Sequence, residues 1–185
     1  MSFLSGNTEK DLVKRASRRD AAAIKSIYDK YVQYLAAVCR SYVSSEDDVK
    51  DLLQESFLKI FSSLEKFEWR GEGSLKKWMR RIVVNESLMF LRSKVSFKEE
   101  SLPEDAGMLY EQEPSVDDVS MGELMRLIGS LPTGYRTIFN LYVFEQKSHK
   151  EIASLLGISE NTSYSQFSRA KALLAKKIKE YESDK

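Results

Sequence analysis

The sequence predicts an all-α protein built as two small helical domains joined by an acidic tether. Three observations carry that prediction. Every apolar periodicity runs at spacings of three and four, with no alternating run that would make a strand. Ser, Thr or Asp stands at the head of the periodic segments, where a side-chain oxygen can cap a helix. Residues 96–120 hold Pro103, Gly107, Pro114 and a block of acids, without a sustained period. The domains are therefore expected at 8–95 and 121–182, with 96–120 as a flexible linker that lets the two move independently. At 185 residues, the chain has enough length for a real core.

Thr8 and Asp20 are expected to cap helices over roughly 9–17 and 21–43. The second carries Ile24, Ile27, Tyr28, Tyr31, Leu35, Val38 and Tyr42 on one face. Ser45 with Asp48 opens a helix running to about Phe67, with Val49, Leu52, Leu53, Phe57, Ile60, Phe61 and Leu64 as its core stripe. Ser74 begins a fourth, through Trp78, Ile82, Asn85 and Leu91, and these four form the N-terminal bundle. The second domain reads as helices near 121–129, 133–145, 149–156 and 159–180. No internal repeat is visible.

Composition narrows the function. The chain is 42% hydrophobic and 31% charged, as expected of a soluble globular protein. No apolar run approaches the roughly 20 residues needed to cross a bilayer, so no stable membrane insertion is expected. The N-terminus, MSFLSGNTEKD, lacks the basic and then apolar regions of a signal peptide, and a cytoplasmic location is expected. Cys39 is the only cysteine, which excludes an intramolecular disulfide, and its helical neighbours Leu35, Val38 and Tyr42 suggest a buried, inert thiol. His149 is the only histidine, which argues against His-based metal sites and serine or cysteine hydrolases; its place just after a helix cap suggests a surface residue. No glycine-rich phosphate loop is present, and Gly71 and Gly73 flank a turn. Neither a catalytic residue, a metal nor a cofactor is expected.

The formal net charge of +1 hides a segregation along the chain. From Lys66 to Lys98 basic residues dominate: Lys66, Arg70, Lys76, Lys77, Arg80, Arg81, Arg92, Lys94 and Lys98 face only Glu68, Glu72 and Glu86. From Glu99 to Glu123 there are acids and no basic residue, and the tail turns basic again at Arg169, Lys171, Lys176, Lys177 and Lys179. Two nucleic-acid-binding modules on an acidic tether would show this order.

Three segments sharpen the reading. In SHKEIASLLGISENTSYSQFSRAKALL, residues 148–174, Ser148 and Glu151 can form a capping box and Gly157 sits where the chain must turn. Ser159 can cap a second helix carrying Asn161, Thr162, Tyr164, Ser165, Gln166, Ser168 and Arg169, the arrangement of a helix-turn-helix that lays polar side chains against base edges. A packed helical hairpin without a ligand is the simpler alternative. In the helix from 46, Asp51, Glu55 and Leu58 fall together opposite the core stripe, with Gln54 beside them. A solvated face explains the acids but not Leu58; a docking surface for a basic protein partner explains both. Between them, Phe67, Trp69 and Trp78 interleave with cations, a composition suited to stacking unpaired bases; the spacing of Trp78 with Ile82 points to the core, while Trp69, in a loop rich in charge, is the better candidate for stacking.

These residues resemble a family. DLLQESFLKIFSSLEKFEWRGEGSLKKWMRRIVVNESLMFLR is similar to the second conserved region of the extracytoplasmic-function (ECF) sigma factors of bacterial RNA polymerase, and LPTGYRTIFNLYVFEQKSHKEIASLLGISENTSYSQFSRAKALL resembles their fourth. The resemblance implies a non-enzymatic subunit that binds core RNA polymerase and promoter DNA, is a monomer when free, and has an anti-sigma factor as partner. It implies that Asp51, Gln54, Glu55 and Leu58 dock on the largest polymerase subunits. Trp69, Arg70, Trp78, Arg80, Arg81 and Asn85 would serve the −10 element, helping to melt it and to hold a flipped base. Asn161, Thr162, Tyr164, Ser165, Gln166, Ser168 and Arg169 would read the −35 element, and the acidic linker would thread toward the active-site and RNA-exit channels.

The chain also departs from the family. After Thr162 the family usually shows an apolar residue, a basic one, Ser, then Arg; here stand Ser163, Tyr164, Ser165 and Gln166. Ser163 is expected to weaken the helix-pair core, with Phe167 as the compensating residue. Two fewer cations lower phosphate attraction, while Gln166 retains the means to pair with adenine. Leu88 and Met89 occupy places where polar residues are common. The depleted recognition helix leaves open a sigma-like decoy or adaptor that binds a regulator without promoter activity. A helix-turn-helix regulator with a sensory N-terminal bundle is a further alternative.

Overall fold

The computed structural model describes residues 8–94, 97 and 119–183, and these fold into eight α-helices and one 3₁₀ turn, with no strand among the described residues. The chain divides into two compact units, 1–89 and 90–185. Apart from Phe97, Val119 and Ser120, the expected linker of 96–120 lies outside the described residues, and with it the expectation of its flexibility.

In the first unit α1 spans Glu9–Ala16, α2 Ala21–Arg40 and α3 Glu46–Ser63, and α4, Ser74–Lys94, begins there and ends beyond residue 89. The caps are those the sequence marks. Thr8 accepts from the Asp11 amide, Asp20 from Ala22 and Ala23, and Ser45 from Asp48. Each satisfies amides that the first turn leaves without an intrahelical partner. Asp20 also accepts from Arg15 Nε at 2.8 Å, which ties the end of α1 to the start of α2 and holds the Asp20 carboxyl below its ordinary range. Leu12, Ile27, Leu35, Val49, Ile60 and Met79 are among the residues that form the core, and Cys39 is buried with its thiol pushed up by desolvation. Ser87 Oγ, from α4, lies 3.7 Å from Cys39 Sγ.

Three details differ from expectation. The helix that opens at Glu46 ends at Ser63 and tightens into a 3₁₀ turn over Leu64–Lys66 instead of running on to Phe67. The hydroxyls of Ser62 and Ser63 donate to the Lys59 carbonyl, a local bond that competes with helix continuation. Tyr28 is exposed and packs its ring on Phe57 at 4.7 Å, at the rim of the core. Trp78 and Ile82 are half-buried, because α4 turns Leu75, Met79 and Val83 inward and the preceding positions lie about 100° around the helix.

In the second unit α5 spans Met121–Gly129, α6 Thr133–Val143, α7 His149–Leu156 and α8 Glu160–Ser183. Leu127, Leu131, Tyr135, Phe139, Leu174 and Ile178 centre its core, with α8 packing against α5, α6 and α7. Ser148 and Glu151 form the expected capping box: the Ser148 amide donates to Glu151 Oε2 at 2.9 Å and the Glu151 amide to Ser148 Oγ. Gly157, at φ 69°, closes α7 in a left-handed conformation that a Cβ would strain. Ser159 then accepts from the Thr162 amide at 3.0 Å and opens α8. The turn between the two helices is thus fixed by local chemistry, the left-handed Gly157 and the Ser159 side-chain cap.

Candidate functional site

Three exposed surfaces hold the residues singled out by sequence. The first lies on α3. Asp51, Gln54, Glu55 and Leu58 are spaced at i, i+3, i+4 and i+7, and all four are exposed. Leu58 stands 66% exposed beside two carboxylates that no ion pair among the described residues neutralises. Val49, Leu52, Ser56, Phe57 and Ile60 occupy the opposite face, so the helix divides cleanly between core and surface. Water gains nothing from an exposed leucine; a protein partner that is basic around an apolar pocket would.

The second surface combines the loop before α4 with the first half of α4. Gly71 and Gly73 adopt φ of 106° and 77°, and Ser74 Oγ bridges the bend by accepting from the Arg70 amide and donating to the Gly71 carbonyl at 2.6 Å. The bend leaves Trp69 half-buried and Arg70 exposed, the latter paired with Glu68 at 2.8 Å. Trp78 packs on Phe67 with ring centroids 5.1 Å apart and keeps part of its surface open. Trp78, Arg81 and Asn85 follow one another at i, i+3 and i+7, and Arg81 and Asn85 are exposed. Arg80 turns aside from this line, donating from Nη1 to the Tyr34 hydroxyl at 3.2 Å. Lys76 sits over the same tyrosine ring at 4.2 Å, so Tyr34 gathers two cations at one edge of the surface. Leu88 is buried and Met89 exposed, so the two apolar departures from the family pattern have opposite fates.

The third surface is the first half of α8. Asn161, Tyr164, Ser165 and Ser168 are exposed on one face, flanked by half-buried Thr162 and Arg169. The hydroxyl of Thr162 is also 2.8 Å from that of Ser159, which engages it in the helix start.

Gln166 is a correction. It is only 5% exposed, and its Nε2 donates to the carbonyl of Phe97 at 3.0 Å, while Oε1 has no hydrogen-bond partner among the described residues. Residues 163, 166, 170 and 174 form the inner stripe of α8, and a side chain on that stripe cannot meet a base edge. The polar type of Gln166 concealed its place; the spacing to Ala170 and Leu174 was the available signal.

His149 is a second correction. Expected at the surface, it is 6% exposed, and its Nδ1 is hydrogen-bonded to Ser163 Oγ at 2.9 Å. Burial holds its pKa below the ordinary value, against a smaller opposing influence of Glu160. Ser163, fully buried, is therefore paired by the one histidine of the chain, whose ring Phe167 meets edge-on at 5.6 Å. Sequence reasoning missed this pairing because the two residues are fourteen apart and each alone has an unremarkable reading.

Comparison with known proteins gives a consistent result. The family model "Sigma-70 region 2" matches residues 27–96 and "Sigma-70, region 4" matches residues 121–174. An ECF RNA polymerase sigma-E factor of Haemophilus influenzae is 30% identical over 183 residues, covering 92% of this chain and 95% of that protein. The sigma-E factor of Escherichia coli is 29% identical with 92% and 94% covered, and RNA polymerase sigma factor SigV of Bacillus subtilis is 31% identical with 72% and 78% covered. Among solved structures, CnrH in complex with the cytosolic domain of CnrY superposes with a TM-score of 0.50 at 21% identity, covering 94% of this chain and 98% of that one, a likeness of fold.

Proposed function

This chain belongs to the ECF sigma factors, which direct promoter-specific transcription initiation by RNA polymerase, and we propose which of its residues carry out each part of that task. Asp51, Gln54, Glu55 and Leu58 bind the core enzyme. The observation that carries the assignment is their common exposure on one face of α3, with Leu58 unburied between carboxylates. The acids attract a basic partner over distance, and Leu58 supplies apolar area that is buried only in the complex.

Trp69, Trp78, Arg81 and Asn85 face the −10 element, with Arg70 and the Tyr34-supported Arg80 and Lys76 holding the DNA backbone beside them. Melted bases need a π-surface to replace the stacking they lose, and half-open tryptophans next to cations provide it. On α8, Asn161, Tyr164, Ser165 and Ser168 read the −35 element in the major groove, while Thr162 and Arg169 flank them. Gln166 has no part in base reading. Three modules, 8–95, 96–120 and 121–182, divide the work, and polymerase performs the chemistry.

The free protein is taken to be a cytoplasmic monomer, restrained by an anti-sigma factor. No helix among the described residues is long and apolar enough to cross a membrane. Run-off transcription with bacterial core polymerase on fragmented genomic DNA, with sequencing of RNA starts, tests the assignment. New starts that share paired upstream elements, and that vanish with Leu58→Ala and Glu55→Lys together, are the expected result. Starts unchanged by that pair would remove the α3 face from core binding. Core binding without new starts would favour the decoy reading.

A further inference from the structure

Resting on the assignment of Tyr164 to the −35 element, we propose that His149 is a positioning residue for promoter selectivity: hydrogen-bonded to Ser163, it braces the Tyr164 ring on the outer face of α8. Tyr164 is 54% exposed, and an exposed tyrosine near the start of a helix would ordinarily sample several rotamers. Here its ring centroid lies 3.9 Å from that of His149. His149 in turn stacks at 4.7 Å on Tyr142, and Tyr142 meets Phe167 at 4.4 Å. Phe167 stacks on Phe139, which belongs to the core of the unit. A continuous run of rings thus leads from the hydrophobic core to the one aromatic side chain on the exposed face of α8's first two turns.

The hydrogen bond gives the histidine its particular use. An apolar ring at 149 could pack, but it would leave the buried Ser163 hydroxyl unsatisfied and the ring free to turn about its own bond. With Nδ1 held by Ser163 Oγ at 2.9 Å, the imidazole plane is set by α8 itself, the same helix that carries Tyr164 one residue on. Brace and reader therefore share a frame. Small errors in the reader's position would alter which base pair it favours, since discrimination depends on placement more than on contact area.

The test uses the full chain with core polymerase on a template library varied at every −35 and −10 position. Tyr164→Ala comes first, and it should flatten base preference at one −35 position by about fivefold or more. His149→Ala should flatten preference at that same position, leave the −10 preferences unchanged, and add nothing further when combined with Tyr164→Ala. A second variant, His149→Phe with Ser163→Ala, restores a ring without an unpaired hydroxyl but also without the bond that sets its plane, and should recover only part of the preference. If His149 only supported the fold, His149→Ala would lower output from all templates in proportion, and the proposal would be overturned. It would equally be overturned if the two substitutions acted additively. Tyr164→Ala without effect on any −35 position would instead remove the assignment of Tyr164, and the brace with it.

Discussion

The outer face of α3 and the front of α8 are both short rows of polar residues at helical spacing, yet they behave differently. On α3 every residue that the pattern singles out, Asp51, Gln54, Glu55 and Leu58, is exposed, and the inner stripe is almost wholly apolar. On α8 the corresponding row is split, because Ser163 and Gln166 turn inward while Asn161, Tyr164, Ser165 and Ser168 turn out. Residue type and residue position agree in one helix and conflict in the other. Where a buried stripe accepts polar side chains, as Ser163 does through His149, polarity ceases to report exposure.

The sharpest way to separate the two faces is at the polymerase. Glu55→Lys with Leu58→Ala should weaken binding to core enzyme by about 2 kcal/mol or more, roughly thirtyfold, as expected when an anchor and its steering charge are lost together. Because both residues are exposed, thermal melting of the free protein should shift by no more than a degree or two, on the order of 0.5 kcal/mol. A large loss of melting temperature would mean that the α3 face contributes to the fold and is not a free surface.

Next comes a pair of substitutions within α8. Tyr164→Ala should cost about 1–3 kcal/mol of discrimination at one −35 base pair, with little change in stability. Gln166→Ala should do the reverse, lowering stability by about 1–3 kcal/mol through the unpaired Phe97 carbonyl while base preference keeps its pattern. Denaturation measured alongside transcription profiling distinguishes them. A changed base preference from Gln166→Ala would return that residue to the DNA face.

Arg169→Ala should be milder and uniform. From its flanking, half-buried place Arg169 is proposed to hold a phosphate, and its loss should then weaken promoter binding by the holoenzyme similarly for all −35 sequences and make the logarithmic salt dependence shallower by about one ion. A sequence-dependent loss would make Arg169 a base reader instead.

The smallest effect concerns pH. Burial depresses the pKa of His149 below its ordinary 6.5, so the folded form binds a proton less readily than the unfolded chain. The stability tied to the neutral imidazole is therefore fully present above about pH 6.5 and is lost as pH falls toward the lower folded value. Melting curves between pH 7.5 and about 5 should show a decline that is reduced in the His149→Phe, Ser163→Ala protein. Parallel curves for the two proteins would contradict the burial of His149.

Most helix boundaries were legible because they depend on local chemistry. Thr8, Asp20, Ser45 and Ser148 cap the helices they were expected to cap, and Gly157 closes α7 where only a left-handed turn fits. The α3 surface was legible for a related reason: a helix with an apolar inner stripe fixes its outer face by geometry alone. The end of α3 was not, since the Ser62 and Ser63 hydroxyls divert the backbone in a way that periodicity does not register. The spacing of Trp78 with Ile82 pointed to the core, and the side chain instead lies half-buried against Phe67, because Met79 and Val83 take the inward positions.

By itself, then, the sequence determined the all-α class, the order of the eight helices among the described residues and the residues on the free face of α3. These follow from spacing, caps and turns, which act over a few residues. Only the tertiary structure decided the fates of His149, Ser163 and Gln166, and with them the support of Tyr164. Their placement depends on partners fourteen and sixty-nine residues away, and a buried polar side chain is tolerated wherever such a partner satisfies it.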